Sequence, residues 1–378
     1  MSAVRLDDLS TPALVVDQDR MARNIDRMRR RLAGLGVGFR PHVKTAKSIE
    51  ICRRLTPTPR GPITVSTLKE AEQFFAHGVT DVLYAVGIEP GKLPHVADLR
   101  ARGCDLMVIL DSVEAASDVS AFCAARRSDI PVLVEIDSDG HRGGVKPDSD
   151  ALLDVAAALR SGARCRGVMT HAGASYDCRS TDAIAAMAEQ ERAVVVRAAE
   201  RLRAAGHDAT IVSVGSTPTA TFARHLSGVT EVRAGVFVFQ DLVMAGLGVC
   251  AVDDIALSVL VSVIGHQREK GWIVTDGGWM AVSRDRGTAG QAVDQGYGLV
   301  RDADGRLLES FVMHGANQEH GLISRRDGGP IDWSAFRIGR RLRILPNHAC
   351  ATAAQHAGYF VVEGSREVVA RWERFGGW

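Results

Sequence analysis

Three basic side chains at alternate positions, Arg40, His42 and Lys44, stand in the stretch Phe39-Arg40-Pro41-His42-Val43-Lys44-Thr45-Ala46-Lys47. The stretch follows a helical run over 21–35, so residues 38–44 read as the next strand of an α/β repeat. Side chains alternate across a strand, which puts the three on one face. Three cations on one face make poor core packing. They suit the polar mouth of a barrel, where chemistry gathers at strand ends. A partly desolvated lysine beside other cations presents a nucleophilic amine. The expectation is that Lys44 holds pyridoxal phosphate as a Schiff base, and the plain alternative is a solvated lysine at a strand end.

Further chemistry-bearing residues follow other strand-like segments. Gly140-His141-Arg142-Gly143-Gly144 comes after 133–137, and His171, Ser175 and Tyr176 come after 167–170. Gly215-Ser216-Thr217 comes after 212–214, and Arg233-Ala234-Gly235 interrupts the segment that ends at Val236. Pro218 marks a helix start after Gly215-Ser216-Thr217. Free N–H groups there, with two hydroxyls, would cradle a phosphate. An ordinary serine cap explains the same residues.

The C-terminal third carries Asn317-Gln318-Glu319-His320-Gly321 and Pro346-Asn347-His348-Ala349-Cys350. Histidine and cysteine two residues apart can ligate one ion from an extended segment, and imidazole with thiolate suits Zn²⁺. A surface histidine beside a buried cysteine is the plain alternative. A set of only two or three protein ligands leaves positions open for Lewis-acid catalysis.

These residues need a scaffold that gathers strand ends. After a first apolar segment at 13–17, strand-like segments recur at 38–44, 63–67, 81–86, 105–111, 131–137, 166–172, 210–215 and 231–236. Helical patterns separate them, among them 69–77, 112–125, 149–159 and 181–205. Strands that alternate with helices imply a parallel sheet, and eight after the first is the number that closes a (β/α)₈ barrel. Segment 13–17 is then surplus and pairs outside the barrel or leads into it. An open doubly wound sheet would need a glycine-rich turn after that segment, and Asp17-Gln18-Asp19 is not one. After about Cys250, short strand patterns separated by Gly/Asp turns replace the helices. The expected organisation is an α/β chain: a barrel over 11–250, then a smaller mostly-β domain over 251–378 joined by residues 1–10.

The 378 residues carry a net charge of +1, with no basic field for nucleic acid or a membrane surface. No apolar run is long enough to span a bilayer. The seven cysteines are scattered and form no CxxC pair, which argues for a reducing compartment. Residues 1–10 lack the apolar core of a signal peptide, so the cytoplasm is expected.

Arg40-Pro41-His42-Val43-Lys44-Thr45, Thr170-His171-Ala172-Gly173 and His348-Ala349-Cys350 together resemble the fold-type III pyridoxal-phosphate enzymes of alanine-racemase architecture. Within them the chain is similar to the D-serine dehydratase and D-threonine aldolase group. Residues 61–74, 212–220, 229–243, 278–287, 315–321 and 342–355 extend the likeness over nearly the whole chain. The resemblance implies a Schiff base on Lys44, Arg142 at the cofactor's phenolic oxygen, and His171 and Tyr176 at the pyridine ring. It implies phosphate contacts from Gly215, Ser216, Thr217, Gly235 and Val236, and Arg233 facing the ring nitrogen. His42 joins this set, and His348 and Cys350 match the metal pair. His320 is taken with them for catalysis. Aldolases of the group show H-x-D where this chain has H-x-C, as D-serine dehydratase-like members do. The resemblance also implies a homodimer in which the second domain of one subunit closes the site of the other.

The implied reaction is a dehydration of a D-β-hydroxy amino acid to a 2-oxo acid and ammonia. Pyridoxal phosphate and a divalent metal are the implied cofactors, Zn²⁺ first, with Mg²⁺ and Mn²⁺ as alternatives. Arg284 and Arg286 offer cations for a second carboxylate on the substrate, with Gln318 nearby in the chain's motifs. This favours 3-hydroxyaspartate over D-serine. The rivals are D-threonine aldolase, an amino-acid racemase, a non-catalytic cofactor carrier and a metal-binding scaffold.

Overall fold

The computed structural model describes residues 4–378. Met1–Ala3, part of the N-terminal stretch expected to join the β domain, lie outside the described residues. The chain divides into two compact units. One comprises Met28–Gly235 with Phe375–Trp378, and the other the described residues through Arg27 with Val236–Arg374. The divisions thus fall at 27/28, 235/236 and 374/375, where the expected ones were 10/11 and 250/251.

Strand β1 (Ala13–Asp17) opens the chain's sheets and is followed by β2 (Gly38–Phe39), β3 (Ile63–Val65) and β4 (Asp81–Gly87). Then come β5 (Asp105–Leu110), β6 (Ile130–Glu135), β7 (Ala163–Met169), β8 (Ile211–Val214) and β9 (Glu231–Val232). Strands β2 to β9 form one eight-stranded parallel sheet in the order β2-β9-β8-β7-β6-β5-β4-β3. The sheet closes where His42 bridges Thr64. Val43 N–H donates to the Thr64 carbonyl at 2.9 Å and Thr64 N–H to the Pro41 carbonyl at 2.8 Å. On the other side, Arg40 N–H reaches the Val232 carbonyl at 2.9 Å and His42 N–H the Ala234 carbonyl at 2.8 Å. Residues 40–43 are therefore the seam of the barrel.

The expected strands at 38–44, 166–172 and 231–236 stop short at Phe39, Met169 and Val232. Their last residues leave the sheet at its C-terminal rim. In the first, Pro41 has no N–H for a regular ladder, and Lys44 lies in the turn that follows His42. The apolar interior contains Leu83, Met107, Ile109, Leu133 and Met169, contributed by β4, β5, β6 and β7. Near-continuous apolar strands of this kind are buried on both faces.

In the same sheet, Arg40 is a buried cation. Its Nε lies 2.9 Å from Glu231 and its Nη1 2.6 Å from Asp81. Glu231 also accepts from Ser213 Oγ at 2.8 Å. These contacts tie the seam to β4, β8 and β9.

In the second unit, β10 (Leu257–Gln267), β11 (Trp272–Thr275), β12 (Gly298–Asp302), β13 (Leu307–Ala316), β14 (Gly321–Arg325) and β15 (Arg341–Leu345) pair antiparallel. The pairing β11-β14-β13-β12-β15-β10 returns to β11, so six strands close into a second barrel. Strand β1 pairs with β10 and, in parallel, with β16 (Gly358–Val362), and β17 (Val368–Glu373) completes the sheet. The surplus strand thus pairs outside the parallel barrel. Among the described residues no helix is long and apolar enough to cross a membrane.

Replacing Arg40 with alanine leaves the largely buried Glu231 carboxylate without its cation, which costs about 3 kcal/mol of stability. Urea unfolding of Arg40→Ala against the parent chain measures this.

Candidate active site

The rim of the parallel barrel collects most of the residues singled out above. Lys44 is exposed in the turn after the seam, in place of the partly desolvated position expected for it. The His42 ring is its neighbour: the Lys44 N–H points to His42 Nδ1 at 3.5 Å. His171 follows β7 and lies beside Tyr176, with ring centroids 6.3 Å apart. Its Nδ1 is 2.8 Å from the Gly215 carbonyl oxygen. A carbonyl can only accept, so Nδ1 carries the proton and Nε2 keeps its lone pair in the neutral ring. Burial pulls the His171 pKa down to about 4, with Lys44, Arg233 and Arg142 pulling the same way against the Gly215 bond. Burial first, then Lys44, Arg233 and His171, hold His42 well below its ordinary value. Both rings are therefore neutral among fixed cations.

Arg233 lies deeper. Its guanidinium donates to Ser213 Oγ and to the Thr170 carbonyl, each at 2.5 Å. Burial lowers its pKa against the attraction of Glu231, Glu191 and Glu135. Arg142 sits further out, three-fifths exposed, and reaches Glu135 at 3.1 Å.

Two glycines at this rim are required by space. Gly215 has φ +144°, and a Cβ on it would meet the Arg233 carbonyl oxygen at 1.9 Å. A Cβ on Gly235 would lie 2.8 Å from the His42 carbonyl oxygen and 3.1 Å from Thr45 Oγ1. Ser216 caps the helix Thr217–Phe222: its Oγ accepts from Thr219 N–H at 3.1 Å. The same Oγ pairs with Ser175 Oγ at 3.0 Å, so this hydroxyl does the work of the plain helix-cap reading. Thr217 is the first residue of that helix and is buried. Val236 begins a short 3₁₀ turn, Val236–Val238, on the other side of the unit boundary. Cations, neutral imidazoles and a glycine-lined backbone fit an anionic cofactor whose ring needs flat neighbours. Lys44, His42, Arg142, His171, Tyr176, Gly215 and Arg233 would hold it.

The β-rich unit holds the second cluster. His348 precedes the helix Ala349–Ala353, which carries Cys350. The His348 ring and the Cys350 sulfur are hydrogen-bonded to each other, and His348 Nδ1 donates to Asp285 Oδ2 at 2.6 Å. Although burial opposes it, the bonds to Asp285 and Cys350 push the His348 pKa upward. The His348 bond holds the Asp285 carboxyl below its usual range. Asp241 is buried beneath them, and its Oδ2 accepts from Ala349 N–H at 2.9 Å. Burial raises the Asp241 pKa to about 6. No cluster of three or more histidine, cysteine, aspartate or glutamate side chains suited to one ion occurs among the described residues. The donors present are one imidazole with Nδ1 occupied by a carboxylate, and one thiol. That set fits an open, two-ligand site for a borderline-soft ion, with Asp285 orienting the ring.

Asp285 went unnoticed in the sequence because its segment, Ser283-Arg284-Asp285-Arg286, draws attention to its arginines. Arg286 is paired with Asp294 at 2.5 Å, whereas Arg284 lies over the Trp279 ring at 5.0 Å. Gln318 and His320 are exposed in the turn between β13 and β14, where their backbone groups bond to Met280 and Asn317. The structure does not bring His320 into hydrogen-bonding contact with His348 and Cys350. Glu191, Glu135 and Glu231 were also missed, since a lone glutamate in a helix or strand carries no local signal.

Neutral His171 makes the parallel barrel acid-sensitive. Its pKa falls from 6.5 to about 4 on folding. Its contribution to stability is complete above pH 6.5 and is lost as the pH drops towards 4, at up to about 1.4 kcal/mol per pH unit. His171→Gln should flatten the pH dependence of urea unfolding in that window. Asp285→Asn should weaken retention of a divalent ion by about ten- to a hundredfold, measured by equilibrium dialysis with Zn²⁺.

Residues 16–242 match the alanine racemase N-terminal domain, and residues 256–362 match the putative serine dehydratase domain. D-threo-3-hydroxyaspartate dehydratase of Delftia sp. (strain HT23) is 55% identical over 98% of both chains. The 3-hydroxy-D-aspartate aldolase of Paracoccus denitrificans (strain Pd 1222) is 27% identical over 95% of this chain and 90% of its own. A solved cysteine-to-alanine variant of D-threo-3-hydroxyaspartate dehydratase, in the metal-free form, is 54% identical with a TM-score of 0.97, covering 99% of this chain and 100% of that one. With both of its halves matched, the chain belongs to the alanine racemase N-terminal-domain family of pyridoxal-phosphate proteins, joined to a serine-dehydratase type of second domain.

Proposed function

We propose that this chain is a pyridoxal-phosphate- and divalent-metal-dependent dehydratase. Its substrate is a D-β-hydroxy amino acid, D-threo-3-hydroxyaspartate ahead of D-serine. The products are ammonia and oxaloacetate or pyruvate. The reading rests above all on 55% identity to a D-threo-3-hydroxyaspartate dehydratase across 98% of each chain. The aldolase relative stands much further off, at 27%.

Bound pyridoxal phosphate supplies an electron sink for charge developing at the substrate α-carbon. The amine of Lys44 would anchor it, and the same amine, when free, would be the base for the substrate α-proton. Arg233 is the residue for the ring nitrogen. A guanidinium only donates hydrogen bonds and stays charged, so it keeps that nitrogen unprotonated and the sink weak. More of the work then falls on departure of the β-hydroxyl. A metal ion supplies Lewis acidity there. His348 and Cys350 would hold the ion, with Zn²⁺ as the first choice, and Asp285 holds the His348 ring. Arg284 suits the β-carboxylate better than Arg286, which Asp294 already neutralises. A homodimer in the cytoplasm belongs to the same proposal.

The test is a panel of D- and L-β-hydroxy amino acids with ammonia and aldehyde scored separately, with and without chelator. The expected result is ammonia with a 2-oxo acid, fastest from D-threo-3-hydroxyaspartate and stopped by chelation. Glycine with an aldehyde as the main products would establish the aldolase reading instead. Lys44→Ala should lack the borohydride-reducible visible band of the parent protein.

A further inference from the structure

Glu191 is fully buried in the helix Thr181–Ala204, distant along the chain from every residue that the sequence marked for chemistry. One of its oxygens, Oε1, accepts two backbone N–H groups, from Ala172 and from Gly215, each at 3.0 Å. The first belongs to the residue after His171. The second belongs to the glycine whose carbonyl receives the His171 Nδ1 proton at 2.8 Å. A single carboxylate oxygen thus ties together the two strand-end segments that set the imidazole, the one carrying its backbone and the one carrying its ring's acceptor. Glu191 also bonds to the hydroxyl of Thr219, which accepts the Ser216 N–H at 3.1 Å. Gly215 has no room to drift, since its Cα lies against the backbone of Arg233.

A buried carboxylate without partners is costly. Here it has three, and all of them are at the rim of the barrel. A mere filler at this position would be served by leucine. We infer that Glu191 is a positioning residue whose buried acceptor oxygen fixes His171 as the Nδ1–H tautomer and holds Gly215 in place for the cofactor.

What matters is an acceptor atom at this distance, so glutamine should serve and shorter side chains should not. Glutamine keeps Oε1 for the two N–H groups and can donate to the Thr219 hydroxyl, which rotates to suit. Aspartate keeps the charge but withdraws the oxygens by one methylene.

The tautomer is read without cofactor or turnover, from side-chain ¹⁵N shifts of histidine-labelled cofactor-free protein, with the His171 signals assigned from His171→Gln. The parent chain and Glu191→Gln should both show protonated Nδ1 and bare Nε2 at His171. Glu191→Ala and Glu191→Asp should show mixed tautomers. Affinity for pyridoxal phosphate, titrated by absorbance, should stay within about twofold for Glu191→Gln. It should fall about tenfold or more for the other two, the loss of two hydrogen bonds to one buried acceptor.

An unchanged His171 tautomer in folded Glu191→Ala, or equal damage in the glutamine and aspartate variants, would overturn the inference. If Glu191→Ala does not accumulate as folded protein, the glutamine–aspartate comparison decides alone. The affinity readout rests on the cofactor reading above and the tautomer readout does not. A parent chain that binds no pyridoxal phosphate, yet shows the expected tautomer pattern, would therefore sink that reading and leave this one standing.

Discussion

The parallel barrel depends on how it is closed. Seven of its neighbouring strand pairs are parallel ladders, while the last joint is made by residues 40–43 between β9 and β3. Pro41 lacks the N–H that a continuous strand would use, so the chain makes a bond on one side, then the other, and turns out of the sheet. That turn is what delivers Lys44 to the rim. The seam is weak in backbone bonds, and Arg40 reinforces it from within by bridging Asp81 and Glu231. Arg40, in the same stretch as the candidate Schiff-base lysine, is thus a structural cation, and the alternation expected of a strand does not reach Lys44.

Charge at the rim follows one rule. Groups that can lose their charge at small cost do so, and those that cannot are paired. His42 and His171 are neutral because burial and neighbouring cations both disfavour the imidazolium. Arg233, which cannot practically deprotonate, keeps its charge with Ser213, the Thr170 carbonyl and three glutamates around it. The rim is left with fixed positive charge and two neutral aromatic nitrogens, an environment suited to a phosphorylated, anionic ring. The β-rich unit applies the opposite setting: carboxylates at Asp241 and Asp285 surround His348 and raise its basicity. A basic imidazole with its Nδ1 proton given to a carboxylate is a good ligand through its other nitrogen.

Much of this was legible in the amino-acid order. Near-continuous apolar segments separated by helical patterns specify a parallel sheet, because only strands covered on both faces can afford such composition. Their number pointed to a closed barrel, and the loss of helical periodicity after Cys250 marked a second, mostly-β unit. Lysine, arginine, histidine and glycine at strand ends marked the rim. The local sequence offered the helix cap at Ser216, but it could not say that Arg286 is neutralised by Asp294 or that Gln318 and His320 lie exposed in a turn. The last two outcomes turn on how the chain folds back on itself and on solvent access.

The same holds for the acids that border the candidate site. Glu191 is one glutamate in a long helix, Glu231 one on a two-residue strand, and Asp285 one between two arginines. Nothing in their neighbours along the chain distinguishes them from solvated carboxylates. The periodicity of apolar residues is a short-range property, so the sequence by itself determined the elements, their count and the candidate bases and ligands. Hydrogen-bond acceptance and burial are properties of three-dimensional neighbours. Only the tertiary structure, by bringing residues 172, 191 and 215 together in one unit and residues 285 and 348 together in the other, decided which carboxylates hold the candidate site in shape.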